Sequence, residues 1–320
     1  MSRWEPKVKM IDALARGLAV LDEVRATQGA SLHELHVRTG FAKATLLRIL
    51  ATLQSRGLIW RRLADDHFCP AGAPDARGRQ SQVLDRLGQC AAPELDRLQA
   101  EVLWPSDLAV RRASAMIVRE TNRNQSYFTI RRDNIGFRIN MLRSAVGRAY
   151  LAFCAEKERE SVLAALRRSR REGDALAHDS RAVAAMLDRT RRQGYGLREQ
   201  RFGGDYDKPR RDQNDRLEAL AVPIVAPSGR VYGCVNVVWI QGVRSVDQMV
   251  EQCLDPLRRA AQAISAGMGW TLAVRARVGL RLPDDGLRRP AHHVRDFRQF
   301  QLPDVFQHQE HLRPCLLYTS

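Results

Sequence analysis

One stretch, Ser31–Arg62, limits what this chain can fold into more than any other. It reads SLHELHVRTGFAKATLLRILATLQSRGLIWRR. Ser31 is a favourable helix N-cap, and Glu34 stands three residues on, the spacing of a capping box. Leu32, Leu35 and His36 mark one face of a short helix. Thr39-Gly40 ends it, because glycine takes the left-handed conformation that closes a helix. A second helix is expected from about Ala42 to Arg56. Its Leu46, Ile49, Leu50 and Leu53 fall three and four apart on one apolar stripe, and Gly57 follows it. Two helices joined by a short glycine-containing turn form a helix-turn-helix. Two surface helices of any globular domain would share the pattern, so the residues off the stripe carry the distinction.

Those residues are Lys43, Ala44, Thr45 and Arg48, near the amino end of the second helix. A recognition helix enters the major groove amino end first. Short side chains there permit close approach, Thr45 reaches a phosphate or base edge, and Arg48 suits a guanine or a phosphate. LIWRRL and HFCP, separated by ADD, read as a hairpin wing that carries Arg61 and Arg62 towards backbone phosphates. From Ser31 to Arg62 six Lys/Arg stand against the single acid Glu34. The expected DNA-contacting set is Ser31, Lys43, Ala44, Thr45, Arg48, Arg61 and Arg62.

The chain has 320 residues, room for two domains, and 44% hydrophobic residues, enough for buried cores. A net charge of +16 points towards nucleic acid or anionic surfaces, although the arginines are spread over the whole chain. The six cysteines form no C-x-x-C pair and no Cys/His cluster with zinc spacing. They read as reduced core residues, and neither a metal nor a cofactor is expected. MSRWEPKVKM lacks the apolar core of a signal peptide. No run approaches the roughly 20 apolar residues of a membrane span. A soluble cytoplasmic protein is the expectation. No G-x-S-x-G, HExxH, GxGxxG or P-loop pattern occurs, so an enzyme is not expected, and Asp205 and Asp207 read as part of a surface loop.

Before the helix-turn-helix, Lys9–Arg25 reads as a helix with Ile11, Leu14, Leu18, Leu21 and Val24 inward and Gly29 closing it. After the wing, Gly72, Pro74 and Gly78 place a boundary near residue 75. A linker helix follows to about Gln89, and a separate helix starts at Pro93, proline being suited to a first helical turn. DLAVRR, AMIVRE and YFTIRR read as antiparallel strands. Helices are expected in SAVGRAYLAFCA, at Glu156–Arg168 and at Ser180–Gln193. The strands EALAVPIVAP and VYGCVNVVWI flank the turn PSGR, and Val246–Ala266 is the last helix, with Val250, Leu254, Leu257 and Ile264 inward. A sheet with helices packed on it is α+β. The expected domains are 1–75, a winged helix-turn-helix; 76–92, a linker helix; 93–270, an effector-binding domain; and 271–320, a disordered or non-native tail without periodicity. Four histidines in that tail (His292, His293, His308 and His311) have no metal-site spacing.

The run VKMIDALARGLAVLDEV, then SLHELHVRTGFAKATLLRILATLQSRGLI and a short wing, resembles the IclR family of bacterial transcription regulators. Gly40, Lys43, Thr45, Arg48, Leu50, Leu53 and Gly57 stand where that family has them. Ala42 replaces a usual proline and Ala44 a frequent serine. In the second half Gly136–Leu142, Ser144–Phe153, Gly194–Tyr195, Ala221–Ile224 and Gly233–Val238 match the family's landmarks, with Asn140 where proline is usual. LWPSDLAV, AMIVRET and GRAYLAFC look closer to its MhpR-like branch, activators serving phenylpropionate catabolism. The likeness covers roughly Lys9 to Met268.

The resemblance implies a GAF-like effector-binding domain with a pocket between the start of the SAVG helix and the last two strands. Ile139, Ala145, Val146, Ala219, Asn236 and Val238 are its implied lining. Unpaired N–H groups at Ser144–Gly147 would favour a carboxylate. Asn236, polar within an apolar strand, calls for a partner, either a ligand or the backbone. Arg119, Arg131 and Arg138 are candidates to grip an acid, and Trp104, Phe137 and Trp239 to stack on an aromatic one; surface solvation and core packing are the competing explanations. The expected partners are double-stranded promoter DNA, a small organic, aromatic acid, a second copy of the chain as a homodimer or dimer of dimers, and RNA polymerase, with no membrane. Such a protein would be a ligand-responsive regulator of a catabolic operon, an activator rather than a repressor. The competing functions are a small-molecule-processing enzyme with a DNA-binding appendage, or a protein that coats DNA through charge alone.

Overall fold

Three helices and a hairpin come first in the computed structural model, which describes residues 11–71, 79–126, 136–208 and 211–273. Helix α1 is Asp12–Thr27, α2 Leu32–Thr39 and α3 Lys43–Ser55; strands β1 (Ile59–Arg61) and β2 (Phe68–Pro70) pair as the wing. The capping box of α2 is present in both directions. The Ser31 hydroxyl accepts from the Glu34 N–H at 3.2 Å, and the Ser31 N–H donates to the Glu34 carboxylate at 2.7 Å. Gly40 closes the helix at φ +71. Val20, Leu21, Val24, Leu35, Leu46, Leu50, Leu53, Ile59 and Phe68 make one core. Two details of α1 differ from expectation. Gln28, not Gly29, takes the left-handed cap, at φ 57. Ile11, Leu14 and Leu18, expected inward, are 69%, 58% and 51% exposed, because α2 and α3 cover only the later turns of α1.

Helix α4 runs unbroken over Arg79–Val102. The expected break at Pro93 is therefore absent. Leu87, Ala91, Leu95, Leu98 and Val102 form one buried stripe on both sides of the proline. Burial of that stripe offsets the one backbone hydrogen bond that proline cannot donate.

A six-stranded antiparallel sheet follows, in the order β5-β4-β3-β8-β7-β6. Its strands are β3 (Ser106–Arg112), β4 (Ala115–Thr121), β5 (Arg138–Ile139), β6 (Gly196–Leu197), β7 (Leu217–Val225) and β8 (Val231–Ile240). β7 and β8 are the PSGR hairpin, with Gly229 at φ +81 in the turn. Alternate residues of the sheet face opposite ways. On one face Leu220, Val222, Val235, Val237 and Trp239 pack with α4 and with α8 (Val246–Ala273). On the other, Ala219, Ala221, Cys234 and Val238 pack with α5 (Ala145–Phe153), α6 (Glu156–Arg167) and α7 (Ser180–Gln193). The chain is thus a winged helix-turn-helix followed by an α+β domain. Val250 and Leu254, expected inward on α8, are only half-buried, whereas Met249, Cys253, Leu257 and Ile264 are buried.

Cys69, Cys154, Cys234 and Cys253 are buried and unbridged. Burial pushes the Cys69 and Cys154 thiols up to about 11, so they stay protonated at neutral pH. Among the described residues no helix is long and apolar enough to cross a membrane, and no His/Cys/Asp/Glu group is placed to hold a metal ion. Gly72, Pro74, Gly78, the strand read at YFTIRR with Arg131, and residues 274–320 lie outside the described residues.

Candidate DNA-binding surface and ligand cavity

Lys43, Ala44 and Arg48 are exposed on α3 and Thr45 is half-buried, while Leu46 and Leu50 point into the core. Ala42 caps α3 without a side-chain hydrogen bond, so the N–H groups of its first turn remain available to a phosphate. Ser31 is spent on its capping box. The wing arginines are engaged as well. Arg61 lies 2.8 Å from Asp66, and Arg62 donates through Nε to Asp65 at 2.8 Å. Lys43 and Arg48 are exposed and, among the described residues, make no ion pair with the wing acids that neutralise Arg61 and Arg62.

The wing is bound to the α+β domain. The Ala64 N–H donates to Glu120 Oε1 at 3.0 Å, and the Asn124 amide donates to the Ala64 carbonyl. Arg119 pairs with Asp85 of α4, and Arg138 lies 5.1 Å over the Tyr206 ring; of these candidates to grip an acid, neither lines the cavity described below. Glu120 is fully buried at the end of β4, and burial pushes its carboxyl up to about 7, opposed by the N–H groups of Thr121 and Ala64. Its neighbour Thr121 donates through Oγ1 to Asp107 at 2.7 Å. Asp107 also accepts from Arg123 Nε and Nη2, at 2.8 and 2.6 Å, and from the Asn236 amide at 3.3 Å. Asn236 in turn accepts from the Asp107 N–H at 2.8 Å. Hydrogen bonds and adjacent residues therefore connect the wing, through β4 and β3, to Asn236 at the centre of the sheet.

At that end lies a cavity of about 110 Å³. Ile139, Ala145, Val146, Ala219, Asn236 and Val238 all line it, from the four elements β5, α5, β7 and β8. Phe137 and Phe202 add rings to its wall. Trp104 and Trp239 instead lie in the core on the opposite face. The start of α5 abuts the cavity, with the Ser144 hydroxyl accepting the Gly147 N–H at 3.0 Å. Asn140, in the usual proline position, uses its oxygen to accept the Leu142 and Arg143 N–H groups and its amide to reach the Gly173 carbonyl, fixing the approach to α5. Four charged residues in the lining escaped the sequence: Asp107, Arg123, Arg198 and Asp215. Nothing local marks them, because each pair forms between residues 16 or 17 positions apart.

Comparison with known proteins agrees with this architecture. A family model described as the IclR helix-turn-helix domain matches residues 13–62, and one described as bacterial transcriptional regulator IclR C-terminal matches residues 82–266. The HTH-type transcriptional regulator BhcR of Paracoccus denitrificans is 26% identical over 264 residues, covering 81% of this chain and 88% of BhcR. Among solved structures, the Thermotoga maritima IclR has 18% identity and a TM-score of 0.47, with 82% of this chain and all of that one (100%) covered. An IclR homologue of Microbacterium hydrocarbonoxydans, solved with 4-hydroxybenzoate, has 22% identity and a TM-score of 0.45, with 80% and 99% covered. By both halves of its length, the helix-turn-helix and the effector-binding domain, this chain belongs to the IclR family of bacterial transcriptional regulators.

Proposed function

We propose that this regulator controls a catabolic operon in the cytoplasm in response to a small aromatic acid. Its α3 enters the major groove of a pseudo-palindromic promoter site, with Lys43, Ala44, Thr45 and Arg48 at the bases and phosphates. Ser31 and the wing arginines Arg61 and Arg62 flank the backbone contacts. The acid occupies the cavity lined by Ile139, Ala145, Val146, Ala219, Asn236 and Val238. The observation that carries this reading is the cavity itself: apolar walls with two aromatic rings and two arginines, joined by a polar chain to the wing. A ligand that binds one arrangement of that chain better than another shifts DNA affinity or contact with RNA polymerase. The likeness to the MhpR-like branch favours an activator.

The test is fluorescence anisotropy of the full chain on its own upstream DNA against scrambled DNA, with and without 3-phenylpropionate-type acids. Selective binding that responds to an acid supports the reading. Equal binding to both DNAs, with a steep salt dependence, supports charge-driven coating instead. Turnover of the acids would identify an enzyme. In the same assay Arg48→Ala is expected to weaken specific binding by about 1–3 kcal/mol and relax the sequence preference at one position. Unchanged affinity and preference would remove Arg48 from the reading surface.

A dimer is part of this proposal. Ile11, Leu14 and Leu18 form an uncovered apolar stripe on α1, and a second α1 would bury it. Leu14→Glu with Leu18→Glu is expected to cost about 3 kcal/mol of association, roughly a hundredfold in dimer dissociation constant by sedimentation. An unaltered mass distribution over the same concentrations would place the interface elsewhere.

A further inference from the structure

The cavity holds two arginine–carboxylate pairs of unequal accessibility. The inner pair, Asp107 with Arg123, has side chains 1% and 10% exposed, and Asp107 is held by Thr121, Arg123 and Asn236 together. The outer pair is Arg198 with Asp215, 2.8 Å apart. Here the arginine side chain is 7% exposed but the carboxylate 32%. Arg198 has an anchor independent of Asp215. Its Nε and Nη2 donate to the Phe202 carbonyl at 3.2 and 3.0 Å, and its guanidinium lies 4.9 Å from the Phe202 ring centre. Asp215 instead sits at the end of an exposed turn, just before Arg216 at φ 56. Its carboxylate rests against Gly204, where a Cβ would come within 2.1 Å of Oδ2. Gly204, at φ +94, therefore leaves the notch that lets this side chain reach Arg198.

We propose that Arg198 is the anchor for the carboxylate of the cavity's ligand, and that Asp215 occupies that position as an internal substitute which the ligand displaces. The reason is charge balance in a poorly solvated space. With both pairs intact the charges of the described lining residues balance, and an incoming carboxylate would set three anions against two cations among them. Exchange keeps the balance, because Asp215, 32% exposed against 1% for Asp107, is the carboxylate of the described lining that can move into water. A guanidinium also donates charge-assisted N–H bonds to a carboxylate, which a neutral amide cannot match in strength. The ligand class is accordingly a monocarboxylate rather than its amide or ester. This deepens the reading of the cavity as the effector site and rests on it.

Titration calorimetry on the full chain with 3-phenylpropionate and 3-phenylpropionamide tests the exchange, using Asp215→Asn and Arg198→Gln. Asp215→Asn keeps an oxygen to accept the Leu217 N–H, which Asp215 Oδ1 accepts at 3.1 Å. If Asp215 vacates Arg198 about a tenth of the time, its removal raises carboxylate affinity about tenfold and leaves the amide unchanged. Arg198→Gln lowers the carboxylate-to-amide preference instead. A preference that stays the same in both variants, with wild type still binding the acid, overturns the exchange and leaves the effector site standing. Absence of acid binding to wild type and to Asp215→Asn alike overturns both.

Discussion

Replacing Asp107 with alanine is expected to lower the free energy of unfolding by about 3–5 kcal/mol, because it leaves a buried guanidinium without its counter-charge. Asp107 is 1% exposed, and its two oxygens receive Nε and Nη2 of Arg123, the Thr121 hydroxyl and the Asn236 amide. Alanine removes an acceptor from four donors at once. The loss exceeds the worth of the pair itself, since most of it is the cost of the stranded Arg123. Asp107→Ala combined with Arg123→Met is therefore expected to be more stable than Asp107→Ala alone. Urea unfolding followed by tryptophan fluorescence measures both. A deficit below about 1 kcal/mol for the single variant would mean that Arg123 finds another acceptor or reaches solvent.

The second expected result concerns Glu120, where the wing meets β4. Burial raises its carboxyl from 4.5 to about 7. The folded chain therefore holds this proton more tightly than the unfolded one. The contribution to stability is complete below about pH 4.5, falls as pH rises from there to about 7, and is level above. At 1.36 kcal/mol per pH unit the full span is about 3 kcal/mol. Glu120→Gln is expected to abolish this fall, leaving the variant more stable than wild type by the same order above pH 7. One Glu120 oxygen accepts the N–H groups of Ala64 and Thr121, which glutamine can still do, and the other has no hydrogen-bond partner among the described residues. Arg62 favours ionisation of Glu120 and Asp65 opposes it, both from the wing. Difference curves of unfolding free energy between variant and wild type, from pH 4.5 to 8, isolate the effect. A difference that is constant across that range would assign the buried charge no part in the wing contact.

The helix-turn-helix was legible because its determinants are local. A Ser–Glu capping box, a left-handed glycine at residue 40 and an apolar stripe three and four residues apart each act within a turn or two of chain. The wing and the β7–β8 hairpin were legible for the same reason, since a short turn sets the pairing of its flanking strands. The five apolar residues and Asn236 around the cavity came from the family likeness, and they do lie together. Local rules failed where distant packing overrode them. Pro93 reads as a helix start, yet α4 continues through it because one buried stripe extends on both sides. Periodicity identified the apolar face of α1, but it carries no information about what covers that face, and Ile11, Leu14 and Leu18 stand in solvent. The charged pairs of the cavity were illegible altogether. In a chain with 52 Lys/Arg residues no single arginine is conspicuous. Which of them meets a carboxylate is settled by strand register and loop closure, contacts that form only when residues far apart in the chain are brought to one place.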